Sequence, residues 1–193
     1  MRLILALMLL GSPAAAFDHY ILSLSWSPTW CAQGNDGAQC DRRQGFVLHG
    51  LWPQDGGGWP EWCDGGRDPT RAESRAMEDI MPPGLPWYQW KKHGRCSGLS
   101  GRDYYALTRE AYARIELPEV FTRLRDDIRL PASVVEDAFI EANPALDAES
   151  IAVTCDDGMI DEVRICLTRD LSPRPCEAAM RECRLRDAEM PGR

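Results

Sequence analysis

Two short stretches concentrate the side chains able to do chemistry: Phe46-Val47-Leu48-His49-Gly50-Leu51-Trp52-Pro53 and Trp87-Tyr88-Gln89-Trp90-Lys91-Lys92-His93-Gly94-Arg95-Cys96. They hold two of the three histidines, three of the seven tryptophans and one of the eight cysteines. A histidine pair can divide acid–base work near neutral pH, one neutral and accepting a proton, the other charged and donating one. Lys92, one residue before His93, adds a fixed positive charge. That set suits a transition state that gathers negative charge on phosphoryl oxygens, where positioned cations do most of the stabilising. Taken singly, a strand histidine is more often a packed core residue than a catalyst. A lysine near a helix C-terminus is usually a solvated charge that suits the dipole. The combination is what carries information.

These side chains need elements to hold them. Phe46 to Trp52 reads as a strand ended by Pro53, with alternation placing His49 on the face of Val47, opposite Phe46 and Leu48. The second stretch reads as a short helix from Pro86, a good first helical residue, to a stop at Gly94. Gln89, Lys92 and His93 then stand at i, i+3 and i+4 on one face, with Trp87 and Trp90 on a neighbouring face suited to packing. Tyr20 to Trp26 alternates cleanly, with Tyr20, Leu22, Leu24 and Trp26 toward the core, and stops at Pro28. His19, at the start of that strand, reads as structural or exposed. Asp55 to Gly66 is Gly-rich with Trp59 and Trp62 embedded, a long surface loop.

Further on, Thr70 and Glu73 form a capping-box pattern for a helix to about Ile80. Periodicity predicts helices over Asp103–Ile115, Pro118–Ile128 and Ser133–Ala142, the last with a Ser133/Glu136 capping box. Ile151–Cys155 and Val163–Leu167 read as strands joined by the turn Asp156-Asp157-Gly158. The tail after Cys183 is charged and reads as frayed. Strands at both ends with helices between them argue for an α+β domain over residues 17–193.

Residues 1–16 have the form of a secretory signal peptide: Met1-Arg2, an apolar run from Leu3 to Leu10, and Ala14-Ala15-Ala16 before a cut. The run is shorter than the roughly 20 residues that span a bilayer, and no membrane contact is expected. The chain carries 22 basic and 30 acidic residues; without Arg2 the charge moves from −8 to −9. Such a chain has no global attraction for nucleic acid, so a phosphate-bearing substrate would need a local positive site. Eight cysteines behind a leader imply an oxidising compartment, secreted or periplasmic, and up to four disulfides, with Cys31 and Cys40 stapling a local loop. There is no Cys-x-x-Cys pair and no histidine at zinc-ligand spacing, so no metal and no cofactor is expected. In RNA the 2′-hydroxyl adjoins the phosphate, so a base and an acid on opposite sides would suffice without a protein nucleophile.

The run Phe46 to Pro53 resembles the first active-site signature of the ribonuclease T2 family. Trp90-Lys91-Lys92-His93-Gly94-Arg95-Cys96 resembles the second, usually Trp-x-Lys-His-Gly-Thr-Cys. Tyr20 to Pro28 resembles the family's first strand, and the terminal cysteines its closing hairpin. The resemblance implies a central antiparallel sheet flanked by helices, disulfide-braced, and a monomer that cleaves single-stranded RNA through a 2′,3′-cyclic phosphate. It implies His93 as the base for the 2′-hydroxyl, His49 as the acid for the leaving 5′-oxygen, and Lys92 as the charge stabiliser. Trp52 would match an aromatic of the base-binding site, with Tyr88 on the substrate side as well. It also implies the pairs Cys63–Cys96, Cys155–Cys183 and Cys166–Cys176, leaving Cys31–Cys40.

Three positions depart from the family pattern. Gln89 occupies a position that is normally glutamate, and Tyr88 replaces a histidine common there. Glutamine can still hold a phosphoryl oxygen but cannot carry charge or exchange a proton. Lower activity and histidine titration at lower pH are expected, and the alternative function is a weakened relative that binds RNA or a partner without efficient turnover. Arg95 replaces the usual threonine, either as a phosphate contact or as a salt bridge.

Overall fold

The computed structural model describes residues 17–56, 58–177, 180 and 182–193; the leader lies outside them. Strand β1 (His19–Trp26) pairs antiparallel with β2 (Phe46–Gln54) on one side and with β5 (Met159–Leu167) on the other. β5 also pairs antiparallel with β4 (Ile151–Asp156), and the short strands β6 (Ala188–Met190) and β3 (Ile128–Leu130) extend the sheet. The fold is therefore α+β, an essentially antiparallel sheet flanked by helices. β2 runs through Pro53 rather than stopping at it. As the edge strand it has one side without a sheet partner, where a missing N–H costs no ladder bond.

The alternation of β1 holds. Tyr20, Leu22, Leu24 and Trp26 enter the main core, whereas Ile21 packs on the other face with Trp52 and Cys166. Trp26 anchors an aromatic cluster with Phe46 (ring centroids 4.8 Å apart) and Phe121 (6.3 Å), and Phe139 closes against Phe46 at 5.2 Å. Each such buried side chain contributes about 1.5–3 kcal/mol of apolar burial.

The helices are α1 (Ser27–Ala32), α2 (Ala38–Asp41), α3 (Arg71–Arg75), α4 (Leu85–Lys92), α5 (Gly101–Ala113), α6 (Glu119–Thr122) and α7 (Ala132–Ala142). The capping box of Thr70 and Glu73 forms, but α3 ends at Arg75. Beyond it the chain tightens into turns, and the Ile80 carbonyl accepts from Leu48 N–H at 3.1 Å on the outer edge of β2. The helix predicted over Pro118–Ile128 is only α6, because Ile128 leaves to pair with Met190 in β3. Val120 of its apolar stripe is exposed, and Phe121 is the buried residue. Helix α7 starts at Ala132 with Pro131 at its cap and no side-chain capping bond, so the Ser133/Glu136 box does not form.

The tail is not frayed. Ala188 and Met190 are fully buried, and the Trp26 indole N–H donates to the Pro191 carbonyl at 2.9 Å. The β4–β5 hairpin turns at Asp157 and Gly158, both at positive φ (45° and 81°), the geometry of a tight hairpin turn. All four disulfides are those implied by the resemblance: Cys31–Cys40, Cys63–Cys96, Cys155–Cys183 and Cys166–Cys176. Among the described residues no helix is long and apolar enough to cross a membrane.

Candidate active site

His49 owes its placement to a bulge. Leu24 pairs with Leu48 and Ser23 with Gly50, so His49 is the extra residue on β2. Such an insertion re-aims side chains and shifts the alternation beyond it. Leu51 consequently returns to the core after Phe46 and Leu48, and Trp52 joins His49 on the opposite face, their rings 5.3 Å apart. An unbroken strand would have sent Trp52 to the core side with Leu48.

Helix α4 brings the second histidine to the same indole. Trp90, fully buried against Tyr104, fixes the helix on the core, and the Tyr104 hydroxyl donates to the Leu51 carbonyl at 2.8 Å. Trp87, placed beside Trp90 by the sequence pattern, is exposed instead. The His93 ring lies 5.2 Å from that of Trp52, tilted by 32°. The two imidazoles thus flank one side chain.

Their surroundings differ. His93 is 4% exposed, and its Nδ1 has no hydrogen-bond partner. Burial first, then the charges of Lys92 and His49, push its pKa down to about 3, against a weaker upward pull from the Pro60 backbone. Its Nε2 lies 4.0 Å from Glu61 Oε1, which also pairs with Lys92 Nζ at 3.1 Å. The loop bearing Glu61 is pinned there by the Trp62 N–H bond to the Lys92 carbonyl (2.7 Å) and by Cys63–Cys96.

His49 faces a carboxylate. Its Nδ1 is 2.5 Å from Glu162 Oε1 and 2.9 Å from Ser25 Oγ. Glu162 is 4% exposed, and its other oxygen takes two donors from Arg164, Nε at 2.8 Å and Nη2 at 2.6 Å. Burial alone would raise the Glu162 pKa, but the His49 hydrogen bond and the charges of His49 and Arg164 outweigh it and bring it to about 2. The sequence signal for Glu162 and Arg164 was their i, i+2 spacing, which puts both on one strand face. β5 begins at Met159 rather than Val163, so Glu162 fell outside the strand read from sequence.

Two expected substrate contacts lie behind the histidines. Gln89 is 1% exposed, and its Oε1 accepts the Trp52 indole N–H at 2.7 Å. A Cβ at Gly50 would come within 2.5 Å of both atoms, so glycine there leaves room for this bond. With its Oε1 committed to the indole N–H, Gln89 positions Trp52. Trp52, 6% exposed, has the His93 ring against it and the Arg164 guanidinium 5.3 Å from its centre, so it spaces the histidines and offers no free face for stacking.

Tyr88 points the other way, 46% exposed and edge-on to Trp62 at 5.8 Å. It lines a cleft of about 360 Å³ with His49, Ser25, Trp30, Val47 and Pro83. Arg95 resolves as a salt bridge: its Nη2 bonds Asp68 Oδ1 at 2.8 Å, which also accepts from the Trp90 indole N–H. His19 is buried at the start of β1, away from the two other histidines in sequence.

A sheet carrying one histidine on its edge strand, a helix carrying a second, and a lysine beside them define a two-histidine α+β architecture. The ribonuclease T2 family model matches residues 17–176, and the chain belongs to that family. A ribonuclease of Aeromonas hydrophila is 43% identical over 108 residues, 54% of this chain and 49% of that protein. The chain spans about half the length of that relative and of a probable ribonuclease of Haemophilus influenzae that it also matches. Among solved structures, an RNase-related protein from Calystegia sepium superposes with a TM-score of 0.69 at 22% identity, covering 90% of this chain and 96% of that one. RNase NT in complex with 5′-AMP superposes with a TM-score of 0.67 at 21% identity, covering 91% and 98%. At those identities the likeness is one of fold.

Proposed function

We propose that this protein is an exported endoribonuclease that cleaves single-stranded RNA by attack of the 2′-hydroxyl on the adjacent phosphate. The products carry 2′,3′-cyclic phosphate ends, and the reaction needs neither metal nor cofactor. The observation that carries this reading is the opposite environment of two histidines on one indole: His93 is buried and held neutral, and His49 is held on a carboxylate. His93 is thus the base and His49 the acid for the leaving 5′-oxygen. Lys92 stabilises charge on the phosphoryl oxygens. The cleft beside His49 has the volume of a small-ligand site, with Tyr88 as an exposed aromatic on which a base can stack. Family membership, the nucleotide bound by RNase NT and four disulfides suited to an oxidising compartment support the reading. Substrate choice tests it: an RNA oligomer is cut, and DNA or 2′-O-methyl RNA of the same sequence stays intact. Cleavage of the 2′-O-methyl oligomer would overturn attack by the 2′-hydroxyl.

Glu61 already occupies the anion position between Lys92 and His93. An incoming phosphate must displace it, so Glu61→Gln is expected to lower KM for RNA several-fold with kcat nearly unchanged. A large loss of kcat would instead show that the carboxylate works together with His93. Together with the neutral Gln89, this contact favours the second reading, a weakened relative that binds RNA with slow turnover.

Gln89→Glu tests the neutral position directly. A buried carboxylate one helical turn from His93 favours the imidazolium. The acid limb of the pH–rate profile should move toward neutral pH and the maximal rate should rise. An unchanged rate and limb would show that the amide is not what holds activity down.

A further inference from the structure

We infer that Glu162, clamped by Arg164, is the positioning residue that fixes His49 as the acid of this site. The inference rests on the ribonuclease reading for its kinetic consequences and on geometry for its basis. An unpaired carboxylate at this depth would be costly, yet every side of Glu162 is satisfied. Oε2 takes the two-pronged Arg164 guanidinium at 2.8 and 2.6 Å, and Oε1 takes His49 Nδ1 at 2.5 Å and the Ser25 hydroxyl at 3.4 Å. Arg164 is itself packed, its guanidinium carbon 5.3 Å from the Trp52 ring centre and 6.0 Å from that of Trp59. The fork fixes the carboxylate, and the carboxylate fixes the imidazole.

The chemical consequence is a defined tautomer. With its Nδ1–H donated to Glu162, His49 is left with Nε2 as the nitrogen that exchanges a proton with substrate. When the bond from phosphorus to the 5′-oxygen breaks, the Nε2 proton passes to that oxygen, and neutral imidazole remains with Nδ1–H still bonded to Glu162. The titratable and charged groups that act on the pair are Arg164 and Asp161 on β5, with His93 after α4. Among these, Glu162 is the carboxylate that touches His49.

Glu162→Gln separates positioning from packing. The amide puts an NH2 donor where one carboxylate oxygen stood, facing either the His49 Nδ1–H or the Arg164 fork, and the volume hardly changes. The expected result is a loss of kcat of about 10²-fold or more, the scale of a mispositioned acid–base group. KM should change less than threefold, with partial recovery of kcat in Glu162→Asp. A merely structural role would lower the melting temperature and leave kcat of the folded protein unchanged, which would overturn the inference. Should the variant fail to fold, nitrogen-15 NMR of the wild-type protein without RNA still decides. Neutral His49 must carry its proton on Nδ1, and an Nε2–H tautomer contradicts the assignment. The NMR result does not depend on activity, so a wild-type protein that cuts no RNA would refute the ribonuclease reading while leaving this coupling separately tested.

Discussion

Replacing His93 by alanine is expected to lower kcat on single-stranded RNA by about 10²–10⁴-fold, the contribution of one positioned proton-transfer group. His49→Ala should cost a similar factor, and the double variant little more than either single one, because an acid and a base acting in one step do not contribute additively. The pH profile distinguishes the two roles. His93 works as a base only when neutral, and burial with the neighbouring charges has brought its pKa down to about 3. The rising limb of kcat/KM, which reports free-enzyme groups, should therefore lie far below the ordinary histidine range and vanish in His93→Ala. A rising limb near pH 6.5 would show that His93 is not held neutral by its surroundings. Folding stability follows the same sign. Between about pH 6.5 and pH 3 the unfolded chain binds a proton at His93 that the folded protein refuses, so stability falls as pH falls through that window.

Removing the Cys63–Cys96 bridge with paired alanines should give the largest change in stability near the site. The disulfide closes a separation of 33 residues. Loop-closure entropy assigns such a bridge about 4 kcal/mol, which for a chain of this size lowers Tm by roughly 10 °C. Cys31–Cys40, closing 9 residues away from His93, should cost about 2.6 kcal/mol on the same basis. The effect on function is separate. Cys63–Cys96 holds the loop whose Trp62 N–H bonds the Lys92 carbonyl and whose Glu61 sits on Lys92. Freeing that loop should weaken binding of RNA more than it changes kcat. Thermal unfolding alongside steady-state kinetics measures both. Equal losses of Tm from the two bridges, with KM unchanged in both, would contradict the placement of the loop as part of the site.

Much of this arrangement was legible in the chain because it depends on local pattern. The alternation of Tyr20 to Trp26, the hairpin at Asp157-Gly158 and the shared face of Gln89, Lys92 and His93 follow from two periodicities and a turn rule. The disulfide pairing came from the resemblance rather than from spacing, which leaves it open. What stayed hidden depends on partners distant in sequence. The bulge at His49 exists only in the register of β2 against β1, and without it Trp52 would face the other side. Glu162 and Arg164 look like ordinary strand charges until β5 is laid beside β1 and His49 meets them. Ala188 and Met190 look like parts of a polar tail, yet two buried residues and the Trp26 bond to Pro191 are enough to order it. From the sequence Gln89 reads as a residue that can still hold a phosphoryl oxygen but has lost the carboxylate's charge. The structure makes it the acceptor that holds Trp52 between the two histidines.

The most direct measurement is end-group analysis of a labelled single-stranded RNA incubated with purified protein in excess chelator, beside the His49→Ala/His93→Ala variant. Fragments ending in 2′,3′-cyclic phosphate, produced by the wild-type protein and absent with the variant, are the predicted result. No cleavage above the variant, or cleavage that stops in chelator, would contradict it.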